Sequence, residues 1–238
     1  MTQTIAIISA MPEEVEPLRQ QLGIGEPEQV GGLELSMTEW NGLQVITAVS
    51  GIGKAQAGAC MQYLITRHHP TEVVNIGAAG ALSDQLRIGD LVLVEESIYH
   101  DVDCTGVGQP PHTFPGVPRV IPSDPALVRT LSHVAANLGI PCHSGRVATG
   151  DAFVSDKEQR LSIRRETEAV LVEMETAAFA QIAHLNGVPF VSVRSVSDNA
   201  DGGAEVSFQT FLTEVSKRNA TLLEAYLRAK AEQESSRH

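Results

Sequence analysis

The chain has 238 residues, 42% of them hydrophobic, and a formal net charge of -12. That is enough apolar material for one large core and excludes wholesale disorder. The acidic balance argues against a nucleic-acid groove or an anionic membrane surface as partner.

The opening MTQTIAIISAMPEE has no basic stretch before its short apolar run. It reads as a first strand, Thr4 to Ser9, rather than a signal peptide. No run reaches the roughly 18 apolar residues of a membrane span. Pro12 then stands where a first helical turn begins, with Val15, Leu18 and Leu22 at helical spacing. Leu33 to Trp40 and Leu43 to Val49 flank Asn41-Gly42, a strong hairpin signal. SGIGK (50–54) reads as a glycine-rich turn before a helix from Ala55 to His68. Glu72 to Ile76 is a strand whose end, GAAGAL (77–82), reads as a second glycine turn, and Leu91 to Val94 is another strand. Residues 101–123 hold five prolines and no periodicity, so they read as a long functional or interfacial loop. Helices are expected over Pro125–Leu138, Lys157–Arg165, Thr176–Leu185 and Phe208–Arg228. Strands are expected over Ser144–Thr149, Ala169–Glu173 and Val188–Val196. This alternation predicts an α/β fold, a single domain (1–230) with a central mixed, mostly parallel twisted sheet flanked by helices. The polar tail, 231–238, is expected to fray. The three cysteines, Cys60, Cys104 and Cys142, form no CxxC pair. Neither a zinc site nor a disulfide framework is expected, and free thiols in a reducing cytoplasm are.

In open α/β sheets ligands bind beyond the carboxyl ends of strands. The residues there are Met11-Pro-Glu-Glu14, Ser50-Gly-Ile-Gly53, Gly77-Ala-Ala-Gly80, Gly150-Asp-Ala-Phe153, Glu173-Met-Glu175 and Ser197-Asp198. None is a P-loop or GxGxxG fingerprint. Each has a plain structural reading too. The glycines serve as tight connections, Glu14 as a first-turn acid favoured by the helix dipole, and Asp198 as a helix N-cap. Arg194, in the middle of the apolar run VSVRSVSD, demands a partner. Glu173 and Glu175 put two carboxylates at the end of a buried strand, which raises the question of what each is for.

Taken in order, AMPEEV, SGIGK, NIGAAGAL, TGDAF, VEME and VRSVSDNAD resemble the nucleoside phosphorylase/nucleosidase superfamily. The likeness runs from about Ile5 to Leu227 and is strongest to the bacterial 5'-methylthioadenosine/S-adenosylhomocysteine nucleosidases. That resemblance implies hydrolysis of the N-glycosidic bond between adenine and a 5'-thio-substituted ribose, with no cofactor and no metal. It implies that Asp198, beside Ser197, protonates purine N7 and that Glu14 activates the water. Glu175 would bind the ribose hydroxyls with Met174 against the sugar, Glu173 would serve as ligand or as partner to Arg194, and Arg194 itself would stand among the substrate-binding residues. Phe153 would stack on the purine and the Val154 backbone would bond its edge. Ile52 and Phe208 would wall the 5'-thio pocket. The loop 101–116 resembles a segment lent by a second subunit, with Val107 and Pro115 as contributors, which implies a homodimer. Relatives usually carry a hydroxyl residue where this chain has Ala78, beside the expected water. A phosphorylase of the same fold and a futalosine-type hydrolase are the alternatives. Asn75 stands where phosphorylases tend to have arginine, and Glu14 would repel phosphate.

Overall fold

A computed structural model describes residues 3–201 and 203–236. β1 (Thr4–Ser9) enters the core at once and leads to α1 (Pro12–Leu22), which has proline in its first turn. β2 (Glu28–Val30), β3 (Leu33–Trp40) and β4 (Leu43–Val49) form an antiparallel meander. Asn41 and Gly42 hold φ of 48° and 81°, the doubly left-handed backbone that an Asn-Gly hairpin turn requires. α2 (Lys54–His68), β5 (Glu72–Ala81), β6 (Leu91–Tyr99) and β7 (Ile121–Pro122) follow. Then come α3 (Pro125–Asn137), β8 (Cys142–Thr149), α4 (Lys157–Thr167) and β9 (Leu171–Glu173). α5 (Thr176–Asn186), β10 (Phe190–Asp198) and α6 (Ala204–Ser235) complete the order.

The strands make one mixed sheet. β1 pairs in parallel with β4 and β5, and β5 with β10. β6 pairs antiparallel with β10 and parallel with β8, β8 runs parallel to β9, and β9 returns antiparallel to β5. Five strands, β5, β10, β6, β8 and β9, therefore close into a ring. β5 and β10 run towards one end of that ring while β9 comes back along β5, so the far halves of three strands meet at one place.

Burial follows the two-residue period of β1. Ile5 and Ile7 face a layer that includes Val15 and Leu18 of α1, Leu131 of α3 and Leu222 and Tyr226 of α6. Ala6 and Ile8 face Met61 and Leu64 of α2 and Phe179 of α5. Val92, Val94, Val147, Leu171 and Val196 pack together around the ring strands.

Three expectations need correction. GAAGAL is not a turn, because residues through Ala81 belong to β5. β10 pairs with Gly77 to Gly80 on one side and β9 with Gly80 and Ala81 on the other, so the backbone there is fully engaged in ladders. Its small side chains serve close approach rather than bending. An added Cβ on Gly77 would lie 2.0 Å from Arg194 Nη1, and one on Gly80 would lie 2.8 Å from Asp198 Oδ1. The long loop is also less bare than predicted. β6 extends to Tyr99, and a 3-10 turn at Thr105–Val107 and the short β7 punctuate the loop. The tail does not begin to fray at 231, since α6 continues to Ser235. Lys230 Nζ donates to Glu72 Oε2 at 2.5 Å, Tyr226 Oη donates to Glu72 Oε1 at 2.5 Å, and Ala231 is buried, so this end is tied to the start of β5. Residues 237 and 238 of the expected tail lie outside the described residues.

Candidate active site

A cavity of about 160 Å³ opens where β5, β9 and β10 converge. Glu14, Ile52, Ala78, Phe153, Val154, Glu173, Met174, Glu175, Ser197, Asp198 and Phe208 all line it. Residues far apart in the chain thus share one wall, as the order of strand ends anticipates. Ala10, Met11, Ala79, Gly80, Ala152 and Val172 complete the lining. These are small or apolar and carry no signal of their own beyond lying next to the motifs.

Glu14 sits in the first turn of α1, 3% exposed. The backbone N–H groups of Ala10 and Met11 donate to its Oε2 at 3.0 and 3.1 Å, and that of Ala78 donates to Oε1 at 2.9 Å. It is therefore not the solvated first-turn acid of the plain reading. Burial raises its pKa above the ordinary 4.5, outweighing the opposing pull of Arg194 and these three N–H groups.

Glu173 and Glu175 have separate work. Glu173 Oε1 accepts from Thr149 Oγ1 at 2.5 Å. Its Oε2 accepts from Arg194 Nη2 at 2.6 Å, from the Glu175 and Thr176 N–H groups at 3.0 and 2.8 Å, and from Thr176 Oγ1 at 2.8 Å. Glu173 thereby caps the start of α5 and neutralises a buried guanidinium, with both oxygens occupied. Glu175 takes one bond, from the Gly53 N–H to Oε1 at 2.8 Å, and its other oxygen has no partner among the described residues. Burial, and then the charge of Glu173, raise the Glu175 pKa from 4.5 to about 8 against the pull of Arg194 and the Gly53 N–H.

Arg194 does not reach the cavity wall, contrary to its expected place among the substrate ligands. It is 1% exposed and lies behind Glu173. Nη2 also donates to Asn75 Oδ1 and Thr176 Oγ1, each at 2.8 Å, while Asn75 Nδ2 donates to Ile8 O at 3.0 Å. Residue type and strand position predict that Arg194 needs a partner. They give no sign that Asn75 and Thr176 would build its socket, or that Thr149 would hold the other oxygen of Glu173.

Asp198 ends β10, 3% exposed. Its Oδ2 accepts from Ser197 Oγ at 2.8 Å and its Oδ1 from the Ala200 N–H at 2.8 Å. It caps no helix, because α6 begins at Ala204. Burial raises its pKa above 3.8, more than those two donors lower it, and the nearby charge of Asp201 adds to the rise.

At the mouth, Phe153 is 48% exposed and meets the Phe208 ring edge-on at 6.0 Å, with Ile52 51% exposed nearby on the same lining. A clamp that sequence reasoning missed fixes these loops. Lys54 Nζ lies 2.6 Å from Asp101 Oδ2 and 3.6 Å from Asp151 Oδ2, and the Lys54 and Asp151 N–H groups donate to Asp151 Oδ1 and Asp101 Oδ2. Val107 and Pro115 do not line the cavity of their own chain, and Val107 is 73% exposed. Among the described residues no group of acids, histidines and cysteines is placed to hold a metal ion, and no helix is long and apolar enough to cross a membrane.

Residues 4–228 match the family described as the phosphorylase superfamily. The chain belongs to the phosphorylase superfamily. Within that superfamily it is 39% identical to the 5'-methylthioadenosine/S-adenosylhomocysteine nucleosidase of Geobacillus thermodenitrificans, over 92% of this chain and 93% of the relative. The Helicobacter pylori nucleosidase of the same name, solved with butyl-thio-DADMe-Immucillin-A, superposes with a TM-score of 0.93 at 30% identity, covering 96% of this chain and 99% of that one. The native futalosine hydrolase of Helicobacter pylori superposes with a TM-score of 0.93 at 31% identity over the same shares.

This superfamily member should show a measurable linkage between the acids and its stability. The folded chain keeps a proton on Glu175 between the ordinary 4.5 and about 8 that the unfolded chain has released. That contribution is complete below 4.5 and is lost as pH rises through about 8. The denaturant midpoint should therefore fall as pH is raised through this window, and Glu175→Gln should flatten the fall. A midpoint in the parent protein that rises over the same window would contradict the assignment.

Proposed function

We propose that the protein is an N-glycosyl hydrolase that cleaves 5'-thio-substituted adenosines, such as 5'-methylthioadenosine and S-adenosylhomocysteine, to adenine and the thioribose. The observation that carries this reading is the cavity lining itself. It offers four carboxyl groups, Glu14, Glu173, Glu175 and Asp198, and no lysine, arginine or histidine among the described residues. A phosphate nucleophile would find no counter-ion there, whereas water suits a carboxylate base.

Asp198, protonated, donates its proton to purine N7 as the C1'–N9 bond breaks and the bonding electrons leave with adenine. Its raised pKa suits an acid that must hold a proton near neutrality. Glu14, in its carboxylate form, takes a proton from the water whose oxygen bonds to C1', and its raised pKa makes it a stronger base. The two acids end with exchanged protonation states, which solvent resets. The open oxygen of Glu175 accepts a ribose hydroxyl, and Met174 lies against the sugar. Because the folded chain keeps a proton on Glu175 up to about pH 8, it favours positive charge on the ribose only in the sites where it is ionised. Phe153 stacks on the base, the Val154 backbone bonds its edge, and Ile52 with Phe208 receives the 5' group. Arg194 acts through Glu173 rather than on substrate. Ala78 supplies a backbone N–H to Glu14 but no hydroxyl to the water.

The same reading includes a homodimer in which loop 101–116 closes the neighbouring site through Val107 and Pro115. The 73% exposure of Val107 supports it. Widely separated free cysteines support a cytoplasmic location. Light scattering at assay concentration should give the mass of a dimer, and a fully active monomer would remove the loop from the site.

Two kinetic measurements test the chemistry. In phosphate-free buffer, adenine should be released together with the free thioribose sugar. Strict dependence on phosphate, with a ribose 1-phosphate product, would select a phosphorylase instead. Asp198→Asn keeps the shape but removes the transferable proton, so kcat should fall by about 10²–10⁴-fold, with a smaller effect on affinity for an adenine-containing ligand. In the parent enzyme activity should decline as pH rises through the raised Asp198 pKa. Near-parental turnover by a folded Asp198→Asn variant would place the acid elsewhere.

A further inference from the structure

One oxygen of Glu175 is open and the other is tied, and the tie is a single backbone N–H, that of Gly53 at 2.8 Å. What holds Gly53 in place lies outside the cavity lining. Residues 50–54 make a turn with left-handed glycines, Gly51 at φ 81° and Gly53 at φ 96°. Ser50 anchors the near side, its N–H donating to Ser9 O at 2.9 Å. Gly53 stands at the cap position of α2 and has no side chain with which to cap it.

The far side of the turn is held from elsewhere in the chain. Asp151 Oδ1 accepts from the Lys54 N–H at 2.8 Å and so supplies the acceptor that a helix start needs. Lys54 Nζ donates to Asp101 Oδ2 at 2.6 Å, and the Asp151 N–H donates to the same oxygen at 2.9 Å. Nζ also lies 5.6 Å from the centre of the Tyr99 ring. Three loops thus close on one carboxylate oxygen: the turn with Gly53, the loop with Asp151 and Phe153, and the segment that leaves β6. A Cβ on Gly53 would come 3.1 Å from Asp151 Oδ1, so the fit is close. Burial would raise the Asp101 pKa, but the bonds from Lys54 and the Asp151 N–H hold it below the ordinary 3.8, and this carboxylate stays ionised near neutrality. Lys54 and Asp101 are partly open to solvent and Asp151 about half open, so their ion pairs add little to stability. Their effect is on position.

We propose that Lys54 is a positioning residue: by pinning the Gly53 turn and the Asp151 loop to Asp101, it holds the Gly53 N–H on Glu175 Oε1 and so fixes the carboxyl group whose open oxygen meets the ribose. The inference rests on the nucleosidase reading for what Glu175 binds, and on the hydrogen bonds alone for how Glu175 is held. A substrate ligand misplaced by about 1 Å costs about 10²-fold in rate. The same N–H acts on the proton of Glu175. Burial and the charges of Glu173 and Glu14 favour the protonated form, and Arg194 and the Gly53 N–H oppose them. Asp198 faces the same cavity. Arg194, Glu173, Glu14 and Asp198 are held by other residues than the clamp, so breaking it withdraws the Gly53 N–H and leaves them in place.

The test compares Lys54→Met and Asp101→Ala in the full chain. They break the clamp from opposite ends and change the net charge in opposite directions. Without the Gly53 N–H the ionised form of Glu175 loses support, so its folded-state pKa rises further above about 8. The fall in denaturant midpoint should then extend to higher pH in both variants. A bare charge effect would instead raise the Glu175 pKa when the lysine is lost and lower it when the aspartate is lost. With 5'-methylthioadenosine as substrate, both variants should lose about 10–10²-fold in kcat/KM, and Lys54→Arg, which keeps the charge and the reach, should restore most of it. Midpoint shifts of opposite sign, or no shift in either variant, overturn the proposal, and so does parental kcat/KM in both. A parent chain that releases no adenine would sink the nucleosidase reading alone, because the midpoint titrations of the same variants still decide whether the clamp positions Glu175.

Discussion

One buried guanidinium organises this molecule. Arg194 sits in the middle of a core strand where water cannot reach it, and an unpaired charge there would be ruinous. Its requirements spread outwards. Gly77 must lack a side chain to leave it room, Asn75 must turn its oxygen towards it, and Glu173 must lie opposite. Because Glu173 also binds the first N–H groups of α5, the arginine fixes the helix that carries Glu175 to the cavity. A buried ion pair is weak evidence for stability. Here its evident effect is on geometry, because β5, β10 and α5 are registered against one another by a few hydrogen bonds.

The two glutamates of VEME show how neighbours in a chain acquire different chemistry. Glu173 has its oxygens filled by protein donors, and Glu175 keeps one oxygen free in a buried place. Burial first, and then the neighbouring charge of Glu173, raise the proton affinity of Glu175. The hydrogen-bond inventory decides which residue faces a ligand.

Much of this was legible in the sequence. β-branched runs, the Asn-Gly turn and the strand-end motifs placed the elements and almost the whole cavity lining, because burial periodicity and turn chemistry are local properties. GAAGAL misled for a physical reason. Glycine signals either a turn or a close approach, and only the neighbouring strands settle which. Arg194 was flagged as needing a partner, yet sequence spacing could not tell a wall residue from one behind the wall. The clamp of Lys54, Asp101 and Asp151 was invisible because single charges in three separate loops carry no pattern until the fold collects them. The extent of α6 was underestimated because its polar end is fixed by Glu72, more than a hundred residues away.

α6 has 32 residues, so at a rise of about 1.5 Å each it is roughly 48 Å long. Its two ends live under different constraints. From Val215 onward it contributes Leu222, Leu223, Tyr226 and Leu227 to the core and finishes clamped to Glu72, whereas most residues from Glu205 to Glu214 are only partly covered or exposed. Phe208 belongs to that loosely covered stretch. Local opening follows poor coverage, so the long helix works as a post set in the core with a free upper end. A local opening confined to that stretch would displace the phenylalanine side of the entrance without disturbing the far end of the same helix or the sheet beneath it.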